Sequence, residues 1–245
     1  MPDPTKDYAP QKPRQRFFNF RVEDWPLLVV VAPCGLVFLW QKTQETEGFD
    51  LAFSGQAMMQ GQWWTLFTAL FLHASIIHIA SNMMSYLSLA PIVVARFGGG
   101  WKSLIPYHIL YLACGLAGNL LFWAIHPHGE IPVLGASGAI YGIYAAAMRL
   151  DPYRSRVAPI FSQTTLNAIW TFLWSNAVVI ALFGGVPMLL QVFSGKPLQI
   201  PIAWEAHLGG FITGFFLIGL MAGRAWPQWW LGDAARPPQV PPAAT

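Results

Sequence analysis

Charge is what this 245-residue chain has least of. Asp, Glu, Lys and Arg make up 10% of it, against about a quarter in an ordinary soluble domain. Five stretches, 51–95, 103–129, 131–148, 157–195 and 206–223, hold no charged residue. A water-soluble fold of this length cannot be surfaced with so few charges, so the soluble globular class is excluded. Only two cysteines occur, Cys34 and Cys114, both inside apolar stretches. That excludes a disulfide framework and leaves them as small buried hydrophobes. No internal repeat and no separate soluble domain are visible. No cleavable signal peptide is expected either: a polar, basic segment of about 24 residues precedes the first apolar run, with no small-residue cleavage site after a short one.

What is present is apolar sequence, 55% of the chain, in blocks of membrane-crossing length. A helix needs about 20 apolar residues to cross roughly 30 Å of hydrocarbon. Six candidate spans run over 25–40, 74–95, 103–125, 136–150, 165–186 and 204–222, the fourth and sixth short for a span. The expected fold is therefore an all-α polytopic membrane protein of six transmembrane helices. Residues 1–24 form a basic N-terminal segment, 25–222 the membrane domain and 223–245 a disordered Pro-rich tail. Residues 41–73 are still largely apolar (Met58, Met59, Trp63, Trp64, Phe67, Phe71) and predict a large outer loop lying in the interface, with short helices.

The net charge of +3 would suit nucleic acid, but its distribution describes topology instead. With both termini cytoplasmic, twelve of the fourteen basic residues fall on inside segments, and only Lys42 and Lys196 fall outside. The positive-inside rule selects that orientation. Trp226, Trp229 and Trp230 then lie where an interfacial aromatic belt belongs. The bilayer is the expected environment, and no nucleic-acid partner is expected.

Polar side chains inside a bilayer are costly, so each is a candidate for function. Three groups stand out: His73, His78 and Asn82 entering span two; Gly135-Ala136-Ser137-Gly138 with Tyr141 opening span four; and Glu205-Ala206-His207 opening span six. Even-numbered spans all run inward from the outer face, so the three groups share one depth. Gly138-x3-Gly142 and Gly210-x3-Gly214 are patterns that let helices approach closely, which would carry Ser137 towards His207. A serine beside a neutral imidazole is a minimal activated nucleophile. Tyr141, one turn after Ser137, is on the same face, where its ring can cover the imidazole. His78 and Asn82, spaced i,i+4, can donate to an oxyanion, and so can the Ser137 backbone N–H at a helix start.

These residues resemble the rhomboid family of intramembrane serine proteases, over about 150 residues from Trp64 to Gly214. Gly135-Ala136-Ser137-Gly138 matches the family's Gly-x-Ser-Gly; His73, His78 and Asn82 match its His-x4-His-x3-Asn; Ala206, His207, Gly210 and Gly214 match its Ala-His-x2-Gly-x3-Gly. The resemblance implies a Ser137–His207 dyad with no acidic third member, an oxyanion hole of His78 and Asn82, and a supporting hydrogen-bonding role for His73. It also implies transmembrane protein substrates, a preference for helix-weakening residues near the cleaved bond, and gating by span five and the loop from Pro187 to Ala203. One departure concerns the outer loop. Many members carry Trp-Arg before the first histidine, where this chain has Trp64-Thr65, which puts the anchoring of that loop in question.

The remaining polar residues take plainer readings. Glu205 is two residues from His207, on a different helix face, and reads as a solvated interface residue rather than a triad acid. His126 and His128 flank Pro127 in an outer turn and read as exposed; Asn119 and Asn176 read as helix–helix hydrogen bonds. No zinc-type spacing occurs among the six histidines, so no metal or cofactor is expected. No inverted repeat or mid-membrane charge marks a transporter. The serious rival is an inactive relative that binds membrane-protein clients, but such relatives typically lack the serine or the histidine. The compact plan resembles that of bacterial members, in the plasma membrane with the site open to the outer face. No oligomer is inferred.

Overall fold

A computed structural model describes residues 21–151, 156–181 and 203–223. The N-terminal segment to residue 20, most of the 187–203 loop, the cluster of Trp226, Trp229 and Trp230 and the Pro-rich tail lie outside the described residues.

Six long helices occur among the described residues: α1 (Leu28–Gln41), α2 (Ile76–Arg96), α3 (Gly100–Ile125), α4 (Ser137–Arg149), α5 (Gln163–Ile180) and α6 (Trp204–Gly223). A 3-10 turn, Val22–Leu27, leads into α1. Val22–Gln41, Ile76–Arg96, Gly100–Ile125 and Trp204–Ala222 are long and apolar enough to cross a membrane. The sixth segment is thus not short: its 20 residues reach about 30 Å. α4, at 13 residues, is only about 20 Å long. It works because other helices, not lipid, surround it: Gly138, Ala139, Ile140, Gly142, Ile143, Ala145, Ala146 and Ala147 are all buried. Small side chains let it lie in the middle of the bundle. Two strands of two residues each, β1 (Leu150–Asp151) and β2 (Arg156–Val157), pair antiparallel just after it.

Local sequence explains the helix ends. Ser75 caps α2, its side chain accepting from the His78 backbone N–H at 3.1 Å, and Ser162 caps α5 through Thr165 at 3.2 Å. Two arginines bond backbone carbonyls across the bundle, Arg96 at the last turn of α6 and Arg149 away from the helix ends. Arg96 donates to Ala222 O at 2.6 Å, and buried Arg149 donates to Phe215 O and to Ala158 O, its guanidinium 4.5 Å from the Phe215 ring.

α6 makes its most extensive contacts with α3 and α4, and they are backbone to backbone. A Cβ on Gly210 would strike Gly138 O, and one on Gly214 would strike Gly142 O. On the other side, a Cβ on Gly209 would come 2.8 Å from Ala117 O. With no hydrophobic drive between helices in lipid, this close fit and its dispersion contacts hold the bundle. Gly35, in α1, has nothing within 4 Å of a virtual Cβ.

The outer loop between α1 and α2 contains the helical turns Phe49–Leu51, Gly55–Met59, Thr65–Thr68 and Ala69–Phe71. Its anchoring does not depend on an arginine. Asn119 Nδ2 on α3 donates to Leu66 O at 2.8 Å, and Thr68 Oγ1 donates to Leu51 O at 2.7 Å. Phe53 and Val133 exchange backbone bonds of 2.9 and 2.6 Å. Thr65 itself is fully buried and bonds Gln62 O at 2.6 Å.

Gly210→Ala should force α4 and α6 apart and destabilise the protein by about 1–3 kcal/mol, the range for overpacking. Gly35→Ala should be neutral or stabilising by up to about 1 kcal/mol. Thermal unfolding in detergent checks both.

Candidate active site

The approach of α4 and α6 brings together side chains distant in sequence. Ser137 is the first residue of α4, after a non-helical Gly135 with φ of 121°. His207 lies in the first turn of α6. Its Nε2 is 2.9 Å from Ser137 Oγ, across 70 residues of sequence. A Cβ on Gly138 would meet Ala206 O at 3.2 Å, so the glycine after the serine lets the first turn of α6, which carries the histidine, settle against it.

The imidazole is held from two further directions. The Tyr141 ring lies 4.4 Å from it, centroid to centroid, tilted by 31°. Asn176 Oδ1, on α5, is 3.0 Å from His207 Nδ1. Asn176 therefore does make a helix–helix hydrogen bond, and its partner is the histidine itself.

His78 and Asn82 converge on the same place from α2. The Cβ position of Gly135 lies 2.8 Å from His78 Nε2 and 3.5 Å from Asn82 Nδ2. Any side chain at residue 135 would therefore collide with the imidazole, in addition to the strain of its positive φ. Asn82 is buried, and its Nδ2 has no hydrogen-bond partner among the described residues. The unpartnered amide thus lies beside Gly135, two residues before Ser137. The Gly135 N–H donates to Ala69 O at 2.8 Å, which ties the Gly-Ala-Ser-Gly segment to the outer loop.

His73 sits behind His78, the two rings 5.1 Å apart edge to face. It is fully buried, its backbone N–H donates to Gln41 Oε1 at 2.9 Å, and its Nδ1 lies 3.3 Å from Phe71 O. Burial, with His78 adding to it against the Phe71 carbonyl, pushes its pKa down to about 4. Gln41 also donates to Glu47 O at 2.7 Å, so the end of α1 holds the loop that carries His73.

Two residues differ from the sequence reading. Glu205 is not solvated: its side chain is 8% exposed and its Oε1 is 2.8 Å from His126 Nε2. His126, read as exposed, is half-buried for the same reason, while His128 is exposed. Hydropathy could not show that the end of α3 and the start of α6 meet, where two polar groups bury each other. Glu205 is spent on that contact and does not reach His207. Gln41, Ser75 and Asn176 were not singled out from the sequence as site residues. Ser75 alone carried a local signal, a serine three residues before His78 at a helix start.

A Rhomboid domain family model matches residues 60–224, about two thirds of the chain. The chain belongs to the rhomboid family, and with its long apolar helices it is an integral membrane protein. It is 31% identical to "Rhomboid protease GluP" of Bacillus subtilis (strain 168) over 157 residues, 64% of this chain and 26% of that protein. It is 27% identical to "RHOMBOID-like protein 5" of Arabidopsis thaliana over 191 residues, 78% of this chain and 53% of that one. A third relative, "Rhomboid-like protein 11, chloroplastic" of Arabidopsis thaliana, is 28% identical over 166 residues, 65% of this chain and 53% of that one. The chain thus spans between about a quarter and about half of these relatives' lengths.

The depressed pKa of His73 has a sign. Between pH 6.5, its ordinary value, and about 4, the unfolded chain binds a proton that the native ring refuses. Native stability should therefore fall as pH drops through that window, and the fall should be shallower in His73→Gln. Melting temperature against pH in detergent measures it.

Proposed function

We propose that the protein is an intramembrane serine endopeptidase that cleaves transmembrane protein substrates at or near the outer ends of their membrane segments. The observation that carries this reading is the 2.9 Å contact between His207 Nε2 and Ser137 Oγ, within a family that includes a named protease.

In this mechanism Ser137 Oγ attacks the scissile carbonyl carbon while His207 Nε2 takes the hydroxyl proton. The negative charge moves to the former carbonyl oxygen, which accepts hydrogen bonds from Asn82, His78 and the Ser137 backbone N–H. Collapse breaks the C–N bond, and His207 gives its proton to the departing amine. An acyl-enzyme remains on Ser137. Water then attacks the ester carbonyl, with His207 again taking a proton and returning it to Ser137 as the carboxylic product leaves. Neither step needs a metal or cofactor. A transmembrane helix hides its carbonyls in internal hydrogen bonds, so the substrate must unwind locally, which favours helix-weakening residues at the cleavage point.

The same reading takes residues 25–222 as a six-span domain with both termini in the cytoplasm. α4 and α5 are the fourth and fifth spans, supported by neighbouring helices where they are short. The charge distribution supports that orientation, which opens Ser137 to the outer face where hydrolytic water is available. A bacterial plasma membrane fits the compact plan, alongside relatives whose names place them in plant organelles.

Labelling of the purified, detergent-solubilised protein with a fluorophosphonate probe tests the proposal. Wild type should label, and Ser137→Ala and His207→Ala should not. Cleavage should fall by about 10⁶ in kcat without the serine and by about 10² to 10³ in Asn82→Ala. His73→Ala should lose less than His207→Ala. A folded wild type that never labels and never cleaves would replace this reading with that of a client-binding rhomboid relative.

A further inference from the structure

The dyad leaves one buried contact unused, that between His207 and Asn176. We infer that Asn176 is a positioning residue for His207, fixing the tautomer and rotation of the imidazole that present a lone pair to Ser137. The inference rests on the reading of Ser137 and His207 as a dyad.

A carboxamide has one end that only accepts hydrogen bonds and one that only donates. Asn176 Nδ2 donates to Phe172 O at 3.0 Å. A carbonyl oxygen cannot donate, so the amide nitrogen must lie on that side and Oδ1 must face His207. Oδ1 cannot donate either, so at 3.0 Å it accepts from His207 Nδ1–H. In the neutral ring the other nitrogen is then bare, and Nε2 is the one 2.9 Å from Ser137 Oγ. The backbone carbonyl of Phe172 thus sets the amide, the amide sets the tautomer, and the tautomer makes Nε2 a base. Which ring nitrogen acts is decided by the bond the other one makes.

The effect grows along the reaction. When His207 takes the serine proton, its ring becomes a cation, and the Nδ1–H bond to Asn176 becomes charge-assisted. A contact stronger in the transition state than in the ground state lowers the barrier. Tyr141 stacks on the ring and fixes its plane, whereas Asn176 fixes rotation within that plane. No carboxylate takes this place: Glu205, the nearest acid in sequence, is bonded to His126. Thr165, Ala168, Phe172 and Asn176 form the buried stripe of α5, and the Phe172 ring lies 4.2 Å from Phe211 and 5.4 Å from Tyr141.

The test compares wild type, Asn176→Leu, Asn176→Asp and Ser137→Ala by fluorophosphonate labelling kinetics, which need no known substrate. Leucine fills similar volume without an acceptor; aspartate keeps an acceptor oxygen. Asn176→Leu should lower the maximal labelling rate by about 10- to 10²-fold, the loss of one hydrogen bond to a charged group, with the probe's half-saturating concentration unchanged. Asn176→Asp should retain most of the rate. ¹⁵N-histidine NMR of wild type should find His207 protonated on Nδ1, a readout that survives even if the leucine variant fails to fold. A wild-type ring protonated on Nε2 alone, an unchanged rate in folded Asn176→Leu, or equal losses in both variants at equal melting temperature would each overturn the inference. Wild-type labelling that persists in Ser137→Ala would overturn the dyad reading itself, which is a separate result.

Discussion

Everything in this structure depends on two helices touching at their backbones. Gly210 against Gly138 and Gly214 against Gly142 leave no room for a methyl group between α6 and α4. In water such a contact would be a minor supplement to hydrophobic burial. In lipid the tails are as apolar as the side chains, so close fit and the hydrogen bonds it permits must hold helices together. The contact also sets distance. Ser137 and His207 sit at the N-terminal ends of the two helices that these glycines join, and a gap of one methyl would separate Oγ from Nε2 by more than a hydrogen bond spans.

The second constraint is that polar groups in a bilayer need partners inside the protein. Here most of the partners are backbone carbonyls. Arg149 bonds Phe215 O and Ala158 O, Arg96 bonds Ala222 O, Asn119 bonds Leu66 O, and Asn176 bonds Phe172 O. Carbonyl partners cannot titrate and add no second charge, which suits a low-dielectric setting. Asn82 Nδ2 is one of eight buried side-chain polar atoms without a hydrogen-bond partner among the described residues, and the one carboxamide among them.

Much of the site was legible because motif spacing and topology are both one-dimensional. Ser137, His207, His78 and Asn82 could be set at one depth by knowing which spans run inward, and Gly-x3-Gly pairs named the helices that would touch. The four apolar helices that meet membrane length were read from hydropathy to within a few residues. What hydropathy could not supply was lateral neighbourhood. Glu205 and His126, 79 residues apart, neutralise each other's exposure only because the end of α3 meets the start of α6. The loop that carries Thr65 is held by Asn119, Thr68 and the Phe53–Val133 bridge, contacts that join residues distant in sequence. Asn176 was visible as a polar residue on an apolar helix, but nothing in its spacing pointed to His207.

That last contact joins the least enclosed helix to the chemistry. α5 turns Leu166, Trp170, Leu173 and Trp174 outward and meets the bundle through one stripe ending at Asn176. The serine and histidine stand on helices that cannot separate without breaking backbone contacts, whereas the acceptor for Nδ1 stands on a helix held by few side chains. On the proposed reading, the base owes its tautomer to an acceptor on a different helix from either member of the dyad: without the Asn176 bond, a ring with its proton on Nε2 would donate to Ser137 instead of accepting from it.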